Sequence, residues 1–238
     1  MNLQAKLLER FLRYVAITSQ SNAAVKTVPT TSGQRELAEL LKTELAELGL
    51  VDLEISEFSV LTGKLPANLP AGHHTVPTVG WVAHLDTVDV CLNADIHPHV
   101  VANYQGGDIC LNEEKQIFLK VSEHPEIEKY IGQDIVVSDG TSVLGADDKA
   151  AIANIMVALE TLANDKTIYH GDIYVCFVPD EEIGLLGAKA IDFAKFPVDF
   201  AYTIDCCEQG EVVYETFNAG SAEVYIKGIT AHPMSAKG

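Results

Sequence analysis

Leu3, Leu7, Leu8, Phe11, Leu12 and Val15 recur at spacings of mostly three and four residues, which predicts an amphipathic first helix. Residues 18–29 are mostly polar and read as a connection. A second helix is predicted over 34–48, with Ser32 as its cap, Leu37, Leu40, Leu41, Leu45 and Leu48 on one face, and Gly49 as its stop. Residues 51–59 alternate like an edge strand, and the stretch 65–72, with Pro66, Pro70 and Gly72, breaks any regular element.

Residues 78–83 are a compact apolar run that predicts a strand delivering His84. Over 91–142 the periodicity is weak, so loops with short strands are expected. Residues 147–164 read as a helix, with Ala151, Ile152, Ile155, Met156, Leu159 and Leu162 on a broad apolar face. A buried strand over 172–178 feeds an acidic turn at 180–184, a further helix is expected over 185–194, and a strand over 199–204 ends at Asp205. Strand, acidic turn and helix thus repeat. This is the order of an α/β fold: a mixed, mostly parallel sheet flanked by helices, with ligands at the carboxyl ends of strands. After Asp205 the residues 211–217 and 222–226 alternate with no helix between them, which suggests the start of a smaller α+β unit near residue 214.

At 238 residues and 47% hydrophobic, the chain can bury one substantial core and part of a second. Its net charge, 16 − 34 = −18, argues against nucleic acid and anionic membrane as partners. Glu9 and Arg10 interrupt the N-terminal segment, which reads as a helix of the folded domain and not as a signal peptide, and no run approaches the ~18 apolar residues of a membrane span. The five cysteines form no CxxC pair, which fits reduced thiols and a cytoplasmic location. Cys206 and Cys207 read as small buried side chains at a strand end in preference to metal ligands or nucleophiles.

The candidate chemistry lies at the strand ends. Asp147-Asp148 and Glu181-Glu182 each double a negative charge where repulsion would be costly without a cation, and His84 follows a third strand-like run. Asp86 stands two residues on, near enough to accept the other N–H of His84 and fix its tautomer. Taken singly, His84 reads as a structural histidine, Asp147 as a helix cap and the 180–182 stretch as a solvated turn. Asp147 favours a helix start, but that does not explain Asp148. Of the Glu181-Glu182 pair, one side chain can bind metal while the other faces a water. Recurrence of such groups on successive strand ends, Asp205 included, points to a two-metal hydrolase.

The stretches around His84-Leu85-Asp86, Gly145-Ala146-Asp147-Asp148-Lys149, Asp180-Glu181-Glu182 and Thr203-Ile204-Asp205 resemble the zinc-site motifs of the di-zinc aminoacylase and carboxypeptidase superfamily. The segments 28–34, 65–68, 104–109 and 217–219 are similar to those of its peptidase T group, tripeptide aminopeptidases, and the similarity runs over essentially the whole chain. The resemblance implies two zinc ions per complete active site, with cobalt or manganese as possible substitutes. His84 and Asp205 would bind one ion and Glu182 the other, with Asp147 bridging; Glu181 would be the general base and acid, and Asp86 the partner of His84. A cis peptide is implied at Asp147-Asp148, and His232, from the smaller domain, would hold the substrate or its oxyanion. The implied activity is removal of the N-terminal residue from small peptides, tripeptides, by a metal-activated water, with a homodimer as a possible assembly. On this pattern residues 1–213 are a zinc-binding catalytic domain and 214–238 the beginning of a small lid or dimerisation domain. The family's last zinc-ligating histidine is missing, so the chain reads as truncated and inactive alone, with weakened metal occupancy on the Glu182 side. Cys206-Cys207 also departs from a glycine-rich position of the group. Rival readings are a related metallodeacylase or dipeptidase, and a non-catalytic zinc- or peptide-binding relative. A calcium module is disfavoured by His84.

Overall fold

A computed structural model describes residues 2–230 apart from 71, 73–75, 207–209, 216–217, 219, 221 and 229. The N-terminal apolar spacing forms helix α1 (Leu3–Val15), whose first turn is capped by the Asn2 side chain accepting from the Ala5 N–H at 2.8 Å. Helix α2 (Ser32–Glu47) starts earlier than its leucine pattern predicts, and Ser32 lies inside it. The extended Thr31 takes the cap position, but its hydroxyl donates to the Gln20 carbonyl (2.8 Å) and caps nothing. Gly33 is fixed by close approach, since a Cβ there would lie 1.6 Å from the Thr18 oxygen.

Strands β1 (Val51–Ile55), β2 (Leu61–Leu65) and β3 (Val79–His84) follow. Then come two short ribbons, β4 (Pro98–Val101) with β7 (Ile135–Ser138) and β5 (Ile109–Asn112) with β6 (Ile117–Leu119), which share a small core around Tyr104, Ile109 and Ile127. Helix α3 (Ala146–Asn164), strand β8 (Ile173–Val178) and strand β9 (Phe200–Thr203) complete the sheet, in the order β1-β2-β8-β3-β9. The expected mixed sheet flanked by helices is present. Its pairings divide evenly: β1–β2 and β2–β8 are antiparallel, β3–β8 and β3–β9 parallel. His84 is in register with Val178, and Val82 with Thr203, so the parallel trio brings its carboxyl ends together at one edge of the fold.

Strand β8 explains why its sequence is continuously apolar. Val175 and Phe177 face a core shared with α1, α2 and α3, while Cys176 and Val178 face a second cluster with Val60 and Phe196. The helix expected over 185–194 is absent; only Ala188–Ala190 makes a 3₁₀ turn. Gly184 and Leu185 adopt positive φ, and the chain bonds back on itself, Leu186 N–H to the Asp180 carbonyl and Gly187 N–H to that of Pro179, each at 3.0 Å. A Cβ on Gly187 would meet the Pro179 oxygen at 2.2 Å, so glycine is required where this turn closes.

Residues 1–205 form one compact unit and 206–238 a second. The strands expected over 211–217 and 222–226 do not form at the described positions, and Val212, Val213, Tyr214, Val224, Tyr225 and Ile226 are exposed. An alternating pattern makes a strand only when a neighbouring strand takes up its backbone groups, and the described residues of this unit offer none. No helix among the described residues is long and apolar enough to cross a membrane.

Candidate metal centre

Three parallel strand ends supply the site. His84 is the last residue of β3, buried, with its backbone N–H donating to Asp148 Oδ2 at 2.9 Å. Its Nε2 lies 2.8 Å from Oδ1 of the exposed Asp147. Asp147 and Asp148 lie in the first turn of α3, joined by a cis peptide bond and with non-helical backbone at both. Glu181 and Glu182 sit in the turn after β8, and Asp205 follows β9, whose ladder continues through Ile204 N–H to the Val82 carbonyl at 3.1 Å.

The donor atoms fall into three groups, each within 4.8 Å: His84, Glu181 and Asp205; His84, Asp147 and Glu182; and Asp147, Asp148 and Asp205. The ligand residues named from the sequence are thus brought together, with Glu181 among them. Cys206 is exposed and in none of the groups, against the expectation of a buried side chain; Cys207 and His232 lie outside the described residues.

Asp86 is wholly buried and does more than face the histidine. Its two oxygens accept the backbone N–H groups of Glu181 (2.9 Å) and Glu182 (3.2 Å), so it fixes the acidic turn to the end of β3. Nδ1 of His84 is 3.3 Å from Asp86 Oδ1 but lacks the alignment of a hydrogen bond and has no other partner.

Electrostatics show what the cluster lacks. Burial disfavours a charged imidazole at His84, yet the Asp86 and Asp148 carboxylates outweigh it and push its pKa up to about 10. Burial pushes the Asp148 carboxyl up to about 8, opposed by His84 and reinforced by Asp205 and Asp147. Glu181 and Glu182 are raised first by burial, then by neighbouring carboxylates, Asp205 foremost for Glu181 and Asp147 for Glu182. One imidazole among six carboxylates is short of positive charge. An imidazole nitrogen with converging carboxylate oxygens is a donor set for zinc, cobalt or manganese, so the residues fit the metal ions that the resemblance implies.

Residues 144–234 match Peptidase family M20/M25/M40. A peptidase T-like protein of Yersinia pestis is 57% identical over 235 residues, 99% of this chain and 56% of its own length. Peptidase T of Caldanaerobacter subterraneus is 45% identical over 98% of this chain and 56% of its length. The crystal structure of aminopeptidase PepT from Bacillus cereus superposes with a TM-score of 0.59 at 27% identity, over 85% of this chain and 43% of that one. The chain carries peptidase M20 sequence and resembles peptidase T. It spans a little over half the length of the curated relatives it matches.

Two further features of this peptidase T-like site were not predicted from the sequence. Lys149, next to the acidic pair, is fully buried; its ammonium donates to the Ile17 carbonyl at 2.7 Å, and burial lowers its pKa to about 7. Asp180, before Glu181, is buried as well and is held by Thr30 and Gln34. A charged residue inside a polar motif reads as solvated, and its burial shows only when the elements around it are assembled.

Proposed function

We propose that this protein acts as a zinc-dependent aminopeptidase that removes the N-terminal residue from tripeptides. The observation that carries the reading is the convergence of His84, Glu181, Glu182 and Asp205 from the strand ends with Asp147 from the start of α3. His84, Asp147, Glu182 and Asp205 would hold two zinc ions. Bound there, the metals would supply a water acidified toward neutrality and an electrophilic contact for the scissile carbonyl.

The chain's own residues divide the remaining work. Glu181, half-buried with a raised pKa, suits a base that accepts a proton from the attacking water and returns it to the departing amine. Asp86 orients both partners at once, through the His84 ring and the amides of the acidic turn. Residues 1–213 would form the catalytic domain and 214–238 the start of a smaller lid or dimerisation domain, from which His232 would reach the substrate. A homodimer and a cytoplasmic location belong to the same reading.

The test is Glu181→Gln in the full-length protein, assayed on tripeptides, dipeptides and acyl-amino acids. Tripeptide turnover should fall by about 10²–10⁴ while metal content stays at the wild-type level. Removal of metal by a chelator should abolish turnover, and zinc should restore it. Wild-type preference for dipeptides or acyl-amino acids would overturn the substrate assignment, and undiminished turnover by Glu181→Gln would overturn the mechanism.

A further inference from the structure

The turn that carries Glu181 and Glu182 is gripped from two sides. Three consecutive amides, those of residues 180, 181 and 182, each donate to a buried side chain: Asp180 N–H to Gln34 Oε1 at 2.8 Å, and the next two to the Asp86 carboxylate. Asp180 itself adopts φ of 53°, in the left-handed region that a non-glycine residue occupies only when its surroundings hold it there. Those surroundings are remote in sequence. Asp180 Oδ2 accepts the Thr30 N–H at 2.8 Å, and Oδ1 accepts both the Thr30 hydroxyl and the Gln34 amide, the latter at 2.7 Å.

Gln34 therefore bonds the main chain and the side chain of Asp180 at once. Thr30 does the same with its own main chain and side chain, and its hydroxyl also accepts the Asn22 N–H at 3.0 Å. Gln34 and Asp180 are fully buried, and Asp180 has no ion-pair partner among the described residues. A buried carboxylate held only by neutral donors is costly to build for packing alone. A small left-handed residue would have served the turn as well. What the carboxylate adds is a second rigid point, on the start of α2, from which the next two residues project toward His84.

We propose that Thr30 and Gln34 are positioning residues for the metal centre: through Asp180 they set where Glu181 and Glu182 stand against His84 and Asp147. The segment 28–34, part of what likens the chain to peptidase T, thereby acquires a task at a distance from the reacting atoms. This inference rests on the metal-centre reading above, and its test separates the two.

The test compares Thr30→Val and Gln34→Met, close in size to the native residues but without the side-chain hydrogen bonds of the clamp, with Thr30→Ser, which keeps the hydroxyl. Two readouts are taken on the full chain: cobalt(II) affinity with its visible absorption bands, and hydrogen exchange of the Glu181 and Glu182 amides. Loss of a partner that orients a ligand weakens metal binding about 10–100-fold. The expectation is therefore a cobalt affinity at least about tenfold weaker with altered bands in Thr30→Val and Gln34→Met, and recovery to within about threefold of wild type in Thr30→Ser. Exchange at 181 and 182 should rise about tenfold while the core amides of Val175 and Phe177 keep their protection. Wild-type cobalt binding and exchange in both folded variants would overturn the proposal. Should Gln34→Met not fold, Gln34→Asn, one methylene too short to bridge Asp180, carries the same expectation and the same power to refute. If the wild-type chain binds no cobalt, the metal-centre reading fails, and amide exchange alone decides whether the clamp exists.

Discussion

Two clusters of charge lie in the first compact unit, and they are built on opposite terms. Between α1, α2 and α3, Lys6, Arg10 and Arg13 meet Glu44 and Glu160: Arg10 Nη1 is 2.6 Å from Glu160, Arg13 Nη2 3.0 Å from Glu44, and Lys6 also pairs with Glu160. The buried Tyr14 donates to Glu44 at 2.7 Å. Arg13 also pairs with Glu9 at 3.3 Å, so three basic groups meet three carboxylates there, and Glu160 is held below its usual range, first by its hydrogen bond from Lys6. At the strand ends carboxylates predominate, and the carboxyl groups whose pKa shifts are raised, not lowered. A balanced cluster neutralises itself, whereas an unbalanced one holds repulsion that a bound cation or a retained proton relieves. The lowered Glu160 on one side and the raised Asp148, Glu181 and Glu182 on the other follow that difference in charge balance.

The sharpest way to break this contrast is to remove one carboxylate from each side. Asp147→Asn should lower zinc affinity by at least about a hundredfold, since it deletes a group that stands in two of the three donor sets. Glu44→Gln should leave zinc affinity unchanged. Competition against a chromophoric chelator reads both, and equal losses would erase the distinction.

The second expectation concerns pH. Asp148 titrates near 8 in the folded chain instead of near 3.8, so between those values the folded state holds a proton that the unfolded state has released, and stability falls as pH rises. His84, raised from 6.5 to about 10, contributes stability that is full below about pH 6.5 and lost as pH rises toward 10. Both act in one direction, and Lys149, lowered to about 7, opposes them only above that pH and only in part. The metal-free chain should melt at a lower temperature at pH 9 than at pH 6. A fixed zinc concentration about 100 times the dissociation constant at pH 9 adds about 2.7 kcal/mol there, or roughly 5–10 °C for a chain of this size; because the ligands bind deprotonated, that gain shrinks on acidification and opposes the slope. Glu160 predicts the contrary sign for the helix network: its stabilisation is present above the ordinary glutamate range and is lost on acidification.

How much of this was legible before folding depended on whether the signal was local. The helices α1 and α3 and the strands β3, β8 and β9 carry their own periodicity or apolar runs. The site residues stood out because doubled acids at strand ends are hard to explain otherwise. Strand β2 was missed: it is buried almost throughout, yet Thr62-Gly63-Lys64 shows neither alternation nor an apolar run. The helix expected over 185–194 failed because Gly184, Leu185 and Gly187 obey the turn that holds Glu181 and not their own spacing. Asp86 was read as a partner of His84 only, since nothing local says that its oxygens will meet amides 95 residues away. Contacts at that separation belong to topology, and no window of sequence contains them.

Within the helix network, Glu44→Gln should cost about 1–3 kcal/mol, because its partners Arg10 and Tyr14 are largely buried and lose a charged acceptor. Thermal melts with and without zinc check it, and the loss should be the same in both.

The smallest effect sets the floor of the comparison. Lys120 and Glu123 pair at 3.1 Å three residues apart, with both side chains at least half exposed. Water screens the attraction, and ordering two long side chains offsets most of what remains. Lys120→Ala should change stability by less than about 0.5 kcal/mol and leave zinc affinity untouched. If it cost as much as Glu44→Gln, burial would not be what gives the helix network its worth. The reading of the strand-end carboxylates, which draws its force from the same burial, would then lose its physical basis.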